Sequence, residues 1–451
     1  MKKLLGSTLA LAMLVPVGAN AELLKNFKMS GSLEVDAVDA NNVTNFNSAK
    51  YNTINTVQTR LMVKADWDLL DDVHAHVSID KNARTYGTGA QSVTAVEGVL
   101  TVDESYVKID KLFGALDTTL GRQYYGEAGD LVIYFGPKYQ LYGMPITALD
   151  GGRFEWNGDK VGVTVLTAKA VGGALGAVDT GDIDLGGLDI HVKPTDMVSG
   201  SAYVYDRTTV NSGTHGVGPA VVGNDYLYLA GLRAKVTMGG AWAKAEFDKD
   251  FGSNRTVNGA GAYTVVDNYT GWAGKIDLGY KADLANLGAV TGWAEGGVGS
   301  GGQRPGNNFQ SIAGDYRPGS IYGRFAANAT GASLGNGSLG AIDNDSLGNR
   351  VIIGAGVKMT PTALSKLTAG LTWWNFRAQN ETALHIASTG NTQGNVMLGN
   401  EYDLDLTWAH SENVTISAGV GDFQPGGAIN ATNGLNVSPA RLAFTDFSFK
   451  F

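Results

Sequence analysis

Charged residues spaced two or four apart recur through this 451-residue chain, and they are the groups best placed to do chemistry. In INTVQTRLMVKADWDLL, Arg60, Lys64, Asp66 and Asp68 fall on one face together with Gln58 and Met62. Glu104 and Lys108 repeat the spacing, Glu246 falls on another polar face, and Glu401, Asp403 and Asp405 line one side of LGNEYDLDLTW. Side chains two apart on an extended strand leave from the same side. These rows are therefore ladders of fixed charge, and ladders lining an aqueous path sort ions and polar solutes by sign. Glu34 and Asp36 belong to the same kind of face, so the set is mixed in sign.

Covalent and metal chemistry have much less to stand on. The absence of cysteine excludes disulfides, thiolate zinc sites and cysteine nucleophiles. There is no H-E-x-x-H helix and no G-K-[ST] phosphate loop. His74 and His76 lie two apart with no third ligand in view, and Asp179, Asp182, Asp184, Asp343 and Asp345 lack EF-hand spacing. No enzyme, cofactor or metal is expected. A formal net charge of −9 argues against nucleic acid as a partner.

The elements that must carry the ladders are strands. FKMSGSLEVDA alternates Phe27, Met29, Leu33 and Val35 with Lys28, Ser30, Glu34 and Asp36, and about eighteen segments repeat this pattern. Their links alternate in length: eight short ones, such as 70–72 and 411–413, interleave with nine long ones, the longest spanning 299–348. Sorting of this kind predicts an all-β fold, a transmembrane antiparallel β-barrel of about 18 strands with short periplasmic turns and long extracellular loops. Sixty-three glycines beside eight Trp, eighteen Tyr and fifteen Phe suit tight strand bends and aromatic girdles. The opening MKKLLGSTLALAMLVPVGANA has a basic start, an apolar run and an A-x-A site, so residues 1–21 read as a cleaved signal peptide and 22–451 as the barrel. The chain ends on ARLAFTDFSFKF, where Phe447, Phe449 and Phe451 should face lipid while the strand pairs with the first one near Phe27.

Two stretches resemble the bacterial alginate-export family of outer-membrane barrels. One is LGNEYDLDLTWAHSENVTISAGVGDFQPGG (398–427); the other runs from LGRQYYGEAGD (120–130) to LDGGRFEW (149–156). The resemblance implies a Gram-negative outer-membrane pore, in the founding members one that exports an anionic polyuronate through a basic lumen. It adds Arg122 and Arg153, in the matched stretches, to Arg60, Lys64, Asp66, Glu104, Lys108, Glu246, Glu401, Asp403 and Asp405 as pore-lining candidates. Leu116, Thr118 and Leu120 share the face of Arg122, so only a bulge would turn it inward. The terminal aromatic strand also resembles the signal read by the barrel-assembly machinery. Mixed lumen charge departs from the basic pattern and favours passive passage of hydrophilic solutes. Export of an acidic polysaccharide and a plugged structural or adhesive barrel are the rival readings. The partners implied are outer-membrane lipid and lipopolysaccharide, the assembly machinery, and small solutes or polysaccharide.

Two loops stand out. YYGEAGDLVIYFGPKYQLYGMP (124–145) is apolar enough to fold into the channel as a constriction, with Tyr134, Tyr139 and Tyr142 available to stack on sugar rings or to pack on the wall. DYRPGSIYGRF (315–325) gathers Tyr316, Arg317, Tyr322 and Arg324, either as a solute contact or as a structured lid.

Overall fold

The computed structural model describes residues 25–43, 46, 48, 53–85, 100–138, 144–171, 182–210, 224–257, 263–302, 305–326, 346–380, 396–429 and 437–451. The leader expected at 1–21 lies outside them. Strands β1 (Lys25–Asn41), β2 (Ile54–Leu70), β3 (Val73–Thr85), β4 (Thr101–Leu112), β5 (Leu116–Gln123) and β6 (Leu149–Asn157) begin a single wall. It continues through β7 (Val161–Val171), β8 (Ile183–Val192), β9 (Val198–Thr209), β10 (Asp225–Met238), β11 (Ala241–Val257) and β12 (Trp272–Leu284). The last six strands are β13 (Gly288–Gly299), β14 (Arg350–Pro361), β15 (Leu367–Ala378), β16 (Met397–Ser411), β17 (Val414–Pro425) and β18 (Ala440–Lys450).

Every strand pairs antiparallel with its chain neighbours, and β18 returns to β1 with Glu34 opposite Ser448 and Asp36 opposite Asp446. Gly31 and Phe451 exchange two backbone hydrogen bonds, of 2.8 and 3.0 Å, where the two ends meet. Closure leaves the wall without the unpaired edge that a lipid-embedded sheet does not tolerate. The result is a closed 18-strand antiparallel β-barrel, as the alternation predicts. The segment Tyr263–Asn268 extends the hairpin of β11 beyond the rim. Eight links of two to five residues gather at one end, and nine links of eleven to fifty residues at the other.

The two faces separate cleanly. On β16, Tyr402, Leu404 and Leu406 project outward at 51%, 44% and 41% exposure, while the alternate Glu401 and Asp403 are buried at 0% and 3%. Register carries this around the wall: Leu404 lies opposite Leu371 and Val420, and Phe447 and Phe449 lie opposite Val35 and Leu33 on the outward face. An outer belt of this kind suits hydrocarbon rather than water.

The inward face changes character along its length, which alternation alone does not foresee. Towards the short turns it is polar: Ser30, Ser32, Glu34 and Asp36 on β1, or Lys235 and Arg233 on β10. Towards the long loops it turns apolar and buried: Val38 and Ala40 on β1, Leu229 and Leu227 on β10, Phe376 and Ala378 on β15, Leu442 and Ala440 on β18. These side chains join one hydrophobic cluster inside the barrel. Cross-strand glycines make room for large inward rings, which lie flat on the wall where a neighbour has no Cβ. A Cβ on Gly279 would sit 1.9 Å from the Trp242 ring, and one on Gly354 would sit 2.2 Å from the Trp374 ring.

Candidate functional site

Several long links add to the cluster inside the barrel, Val43 and Phe46 from one and Ala428 and Ile429 from another, and two longer links fold inward. The first runs from β5 to β6. At its start Tyr125–Gly126 pairs with Tyr134–Phe135, and Gly126 takes φ +81 because a Cβ would meet the Ile133 carbonyl oxygen at 2.2 Å. Asp130 closes the bend, its Oδ1 accepting from the amides of Val132 at 2.7 Å and Ile133 at 3.0 Å. Leu131, Val132 and Ile133 are then buried. The second link joins β13 to β14. Its residue Ala313 pairs in parallel with Ile133, receiving the Tyr134 amide at 2.8 Å and donating to the Val132 carbonyl at 3.0 Å. The Asp315 amide also donates to the Asp130 carbonyl at 2.8 Å, so the two links are stitched into one body.

Charged wall residues hold that body in place. Arg233 donates from Nη2 to Asp130 and from Nε to Glu246, both at 2.8 Å, and its guanidinium lies 4.5 Å over the Tyr203 ring. Arg207 donates to the Ser311 and Ile312 carbonyls at 3.1 and 3.0 Å. Arg60 reaches Glu34 and the Lys138 carbonyl. From the second link, Arg324 pairs with Asp36 and sits 5.2 Å over the Phe444 ring. Glu401 accepts the amides of Ile321 at 2.6 Å and Tyr322 at 2.9 Å. Gly319, at φ +80, permits that approach, because a Cβ there would lie 2.7 Å from Glu401 Oε2. Tyr322 then stacks on Phe376 with ring centroids 4.0 Å apart.

The filling is incomplete. Between the inward links and the wall lies a cavity of about 500 Å³ bordered by Lys275, Glu295, Asp315, Tyr316, Arg317, Arg324, Trp374 and Phe444. Lys275 bridges Asp277 at 3.4 Å and Glu295 at 3.3 Å, 4.6 Å from the Tyr316 ring. Burial pushes the Tyr316 phenol well above its usual range, so it keeps its proton and donates to Glu295. Arg317 chelates Asp315 with contacts of 2.8 and 3.2 Å.

Most candidate ladder residues stand on the lumen wall as paired charges. Lys64 lies 3.4 Å from Glu104, Lys108 contacts Asp110 at 2.8 Å, Asp66 bonds His76 at 2.6 Å, and Arg153 lies 3.2 Å from Glu155. Glu246, Glu401, Asp403 and Asp405 also face inward. Arg122 does not. No bulge turns it, and it remains on the outward face with Leu120, bonded to Asp150 at 2.7 Å directly across the ladder. Tyr134 is buried and its hydroxyl donates to the Pro137 carbonyl at 2.8 Å, so it packs rather than offering a stacking face; Tyr139 and Tyr142 lie outside the described residues. Tyr322 and Arg324 likewise serve as packing and anchor.

Sequence reading passed over Arg207, Arg233 and Lys275, although the polar alternation of LYLAGLRAKV already places Arg233 on an inward face. What it lacked was the partner, since Asp130 is 103 positions away. Among the described residues no three His, Asp or Glu side chains are arranged to hold a metal ion. His74 sits between Asp68 at 2.6 Å and Asp110 at 3.1 Å, and Asp182 and Asp184 bind Lys169. A GASLG string at 331–335 has the spacing of a hydrolase nucleophile turn and falls outside the described residues.

No protein-family model matches the chain, and no curated protein matches it. Solved structures do. OccK11 (OpdR) of Pseudomonas aeruginosa aligns with a TM-score of 0.55 at 8% identity, over 95% of this chain and 98% of its own. OccK2 (OpdF) of the same organism, solved in complex with glucuronate, gives 0.54 at 9% identity over 95% and 99%. OpdK of Pseudomonas aeruginosa, solved with vanillate, gives 0.53 at 10% identity over 95% and 99%. The likeness is one of fold. It spans the barrel from end to end, and the fold is that of outer-membrane barrels.

Proposed function

We propose that this protein is an outer-membrane channel for the passive passage of small hydrophilic solutes, with no catalytic turnover. The observation that carries the reading is the polar gap left between the inward links and a charged wall, in a barrel whose outer belt is apolar. A lumen lined with paired Arg, Lys, Asp and Glu offers a permeant solute hydrogen bonds in place of water, and narrowing by the links sets a size limit. The signal-peptide pattern at 1–21 and the terminal strand carrying Phe447, Phe449 and Phe451 support export to, and assembly in, a bacterial outer membrane. Lipid and lipopolysaccharide would surround the belt. Two neighbours of the same fold were solved with glucuronate and vanillate, which supports solutes of about that size.

The plugged-barrel reading has one specific observation in its favour, the buried apolar cluster filling the long-loop half. Export of an acidic polysaccharide, suggested by the resemblance to alginate-export barrels, has less support because carboxylates line much of the lumen. Single-channel recording of the refolded chain in a planar bilayer separates the first two. Steady conductance is the expected result; silence from a barrel shown to be folded would replace the channel by the plug.

A further inference from the structure

Resting on the channel reading, we propose that the lumen prefers cations and admits small solutes bearing an ammonium group over those bearing only carboxylates. The ground is a sector of wall with acids alone. Across β15, β16, β17, β18 and β1, the inward ionisable groups away from the short-turn end are Glu401, Asp403, Asp405, Asp446, Asp36 and Glu34. The inward cations of these strands, Lys28 and Lys450, stand at the short-turn end. Some other inward acids have a strand cation beside them, as Glu155 has Arg153 and Glu246 has Arg233, and at the edge of this sector Glu34 has Arg60 of β2 directly opposite.

A second observation shows what this sector receives. The chain's own donors occupy its upper part: the Arg324 guanidinium on Asp36 and over Phe444, Arg60 on Glu34, and the amides of Ile321 and Tyr322 on Glu401. Beside them stand acids without such guests. Asp446 Oδ1 is buried with no hydrogen-bond partner among the described residues, and Asp405 faces inward opposite Gly370 and Gly419. Lys358 stands inward on β14, across Gly370 from Asp405. An ammonium group passing this wall replaces its water with carboxylate oxygens, whereas a free carboxylate is repelled along the whole sector.

The test is the reversal potential of the refolded chain in a planar bilayer under a potassium chloride gradient, for wild type, the double variant Asp405→Asn/Asp446→Asn and the outward control Asp422→Asn. Liposome swelling with putrescine and with succinate, similar in size and opposite in charge, supplies a readout that needs no variant. Wild type should favour cations and pass putrescine faster. The inward double variant should lose about fourfold of that preference, roughly twofold per carboxylate acting over about 10 Å of water, and the outward control should change nothing. A conducting channel that prefers chloride and succinate overturns the proposal and leaves the channel standing. An unchanged preference in a folded double variant overturns the assignment to this sector. Silence from a folded barrel overturns the channel reading and this inference with it.

Discussion

Replacing Glu401 by alanine is expected to release the segment around Ser320 to Phe325 from the wall while leaving the barrel intact. Glu401 is fully buried and takes two backbone amides, Ile321 at 2.6 Å and Tyr322 at 2.9 Å. Stranding both donors costs about 1–3 kcal/mol each. Part of that is offset, because the variant also removes a buried carboxylate that neighbours Asp403, so a net loss of about 2–3 kcal/mol is the sounder figure. That lowers the anchored population relative to the free one by roughly 30- to 160-fold. The stacking of Tyr322 on Phe376 is worth about 0.5–1.5 kcal/mol, too little to compensate. The ladder itself does not use the side chain: Glu401 lies opposite Trp374 and Phe423 through backbone pairing. Trypsin should therefore cut after Arg324 in the variant and not in wild type, conductance should rise, and the heat-dependent gel shift of the folded barrel should persist. Glu401→Gln, which keeps one acceptor and turns an amide donor towards the other, should fall between. Equal cutting and equal conductance in wild type and Glu401→Ala would refute the anchoring argument.

Three other expectations follow from single contacts. Leu404→Arg, on the outward face of β16, should destabilise the barrel in lipid by about 2–4 kcal/mol, while the inward Ser417→Arg should cost far less; urea unfolding in vesicles measures the pair, and equal losses would contradict the face assignment. Gly279→Val should lower stability by roughly 1–3 kcal/mol because the added carbon collides with the Trp242 ring; an unchanged unfolding midpoint would mean the ring has somewhere else to go. Arg233→Ala leaves Asp130 and Glu246 without their cation, a loss of about 3 kcal/mol. Faster proteolysis in the 124–138 link, partly rescued by Arg233→Lys, would report it, and wild-type resistance would show that Arg233 is not a latch.

Period-2 alternation, the sorting of links into short and long, and the aromatic terminal strand determine the barrel, its strand number and the outward face, because each of these is a local property of the chain. The candidate ladder at Glu401, Asp403 and Asp405 was legible for the same reason. The matched motif places Arg122 in the lumen against its own parity, and the outward register with Asp150 shows that parity is the better guide. What the chain pattern does not contain is the use of the inward face. Whether an inward position meets water or another segment depends on which links enter the barrel, and that rests on contacts such as Asp130 with Arg233 and Asp36 with Arg324, 103 and 288 positions apart. Only closure of the wall brings such groups within bonding distance, so it took the tertiary structure to divide the lumen into a packed half and a polar one.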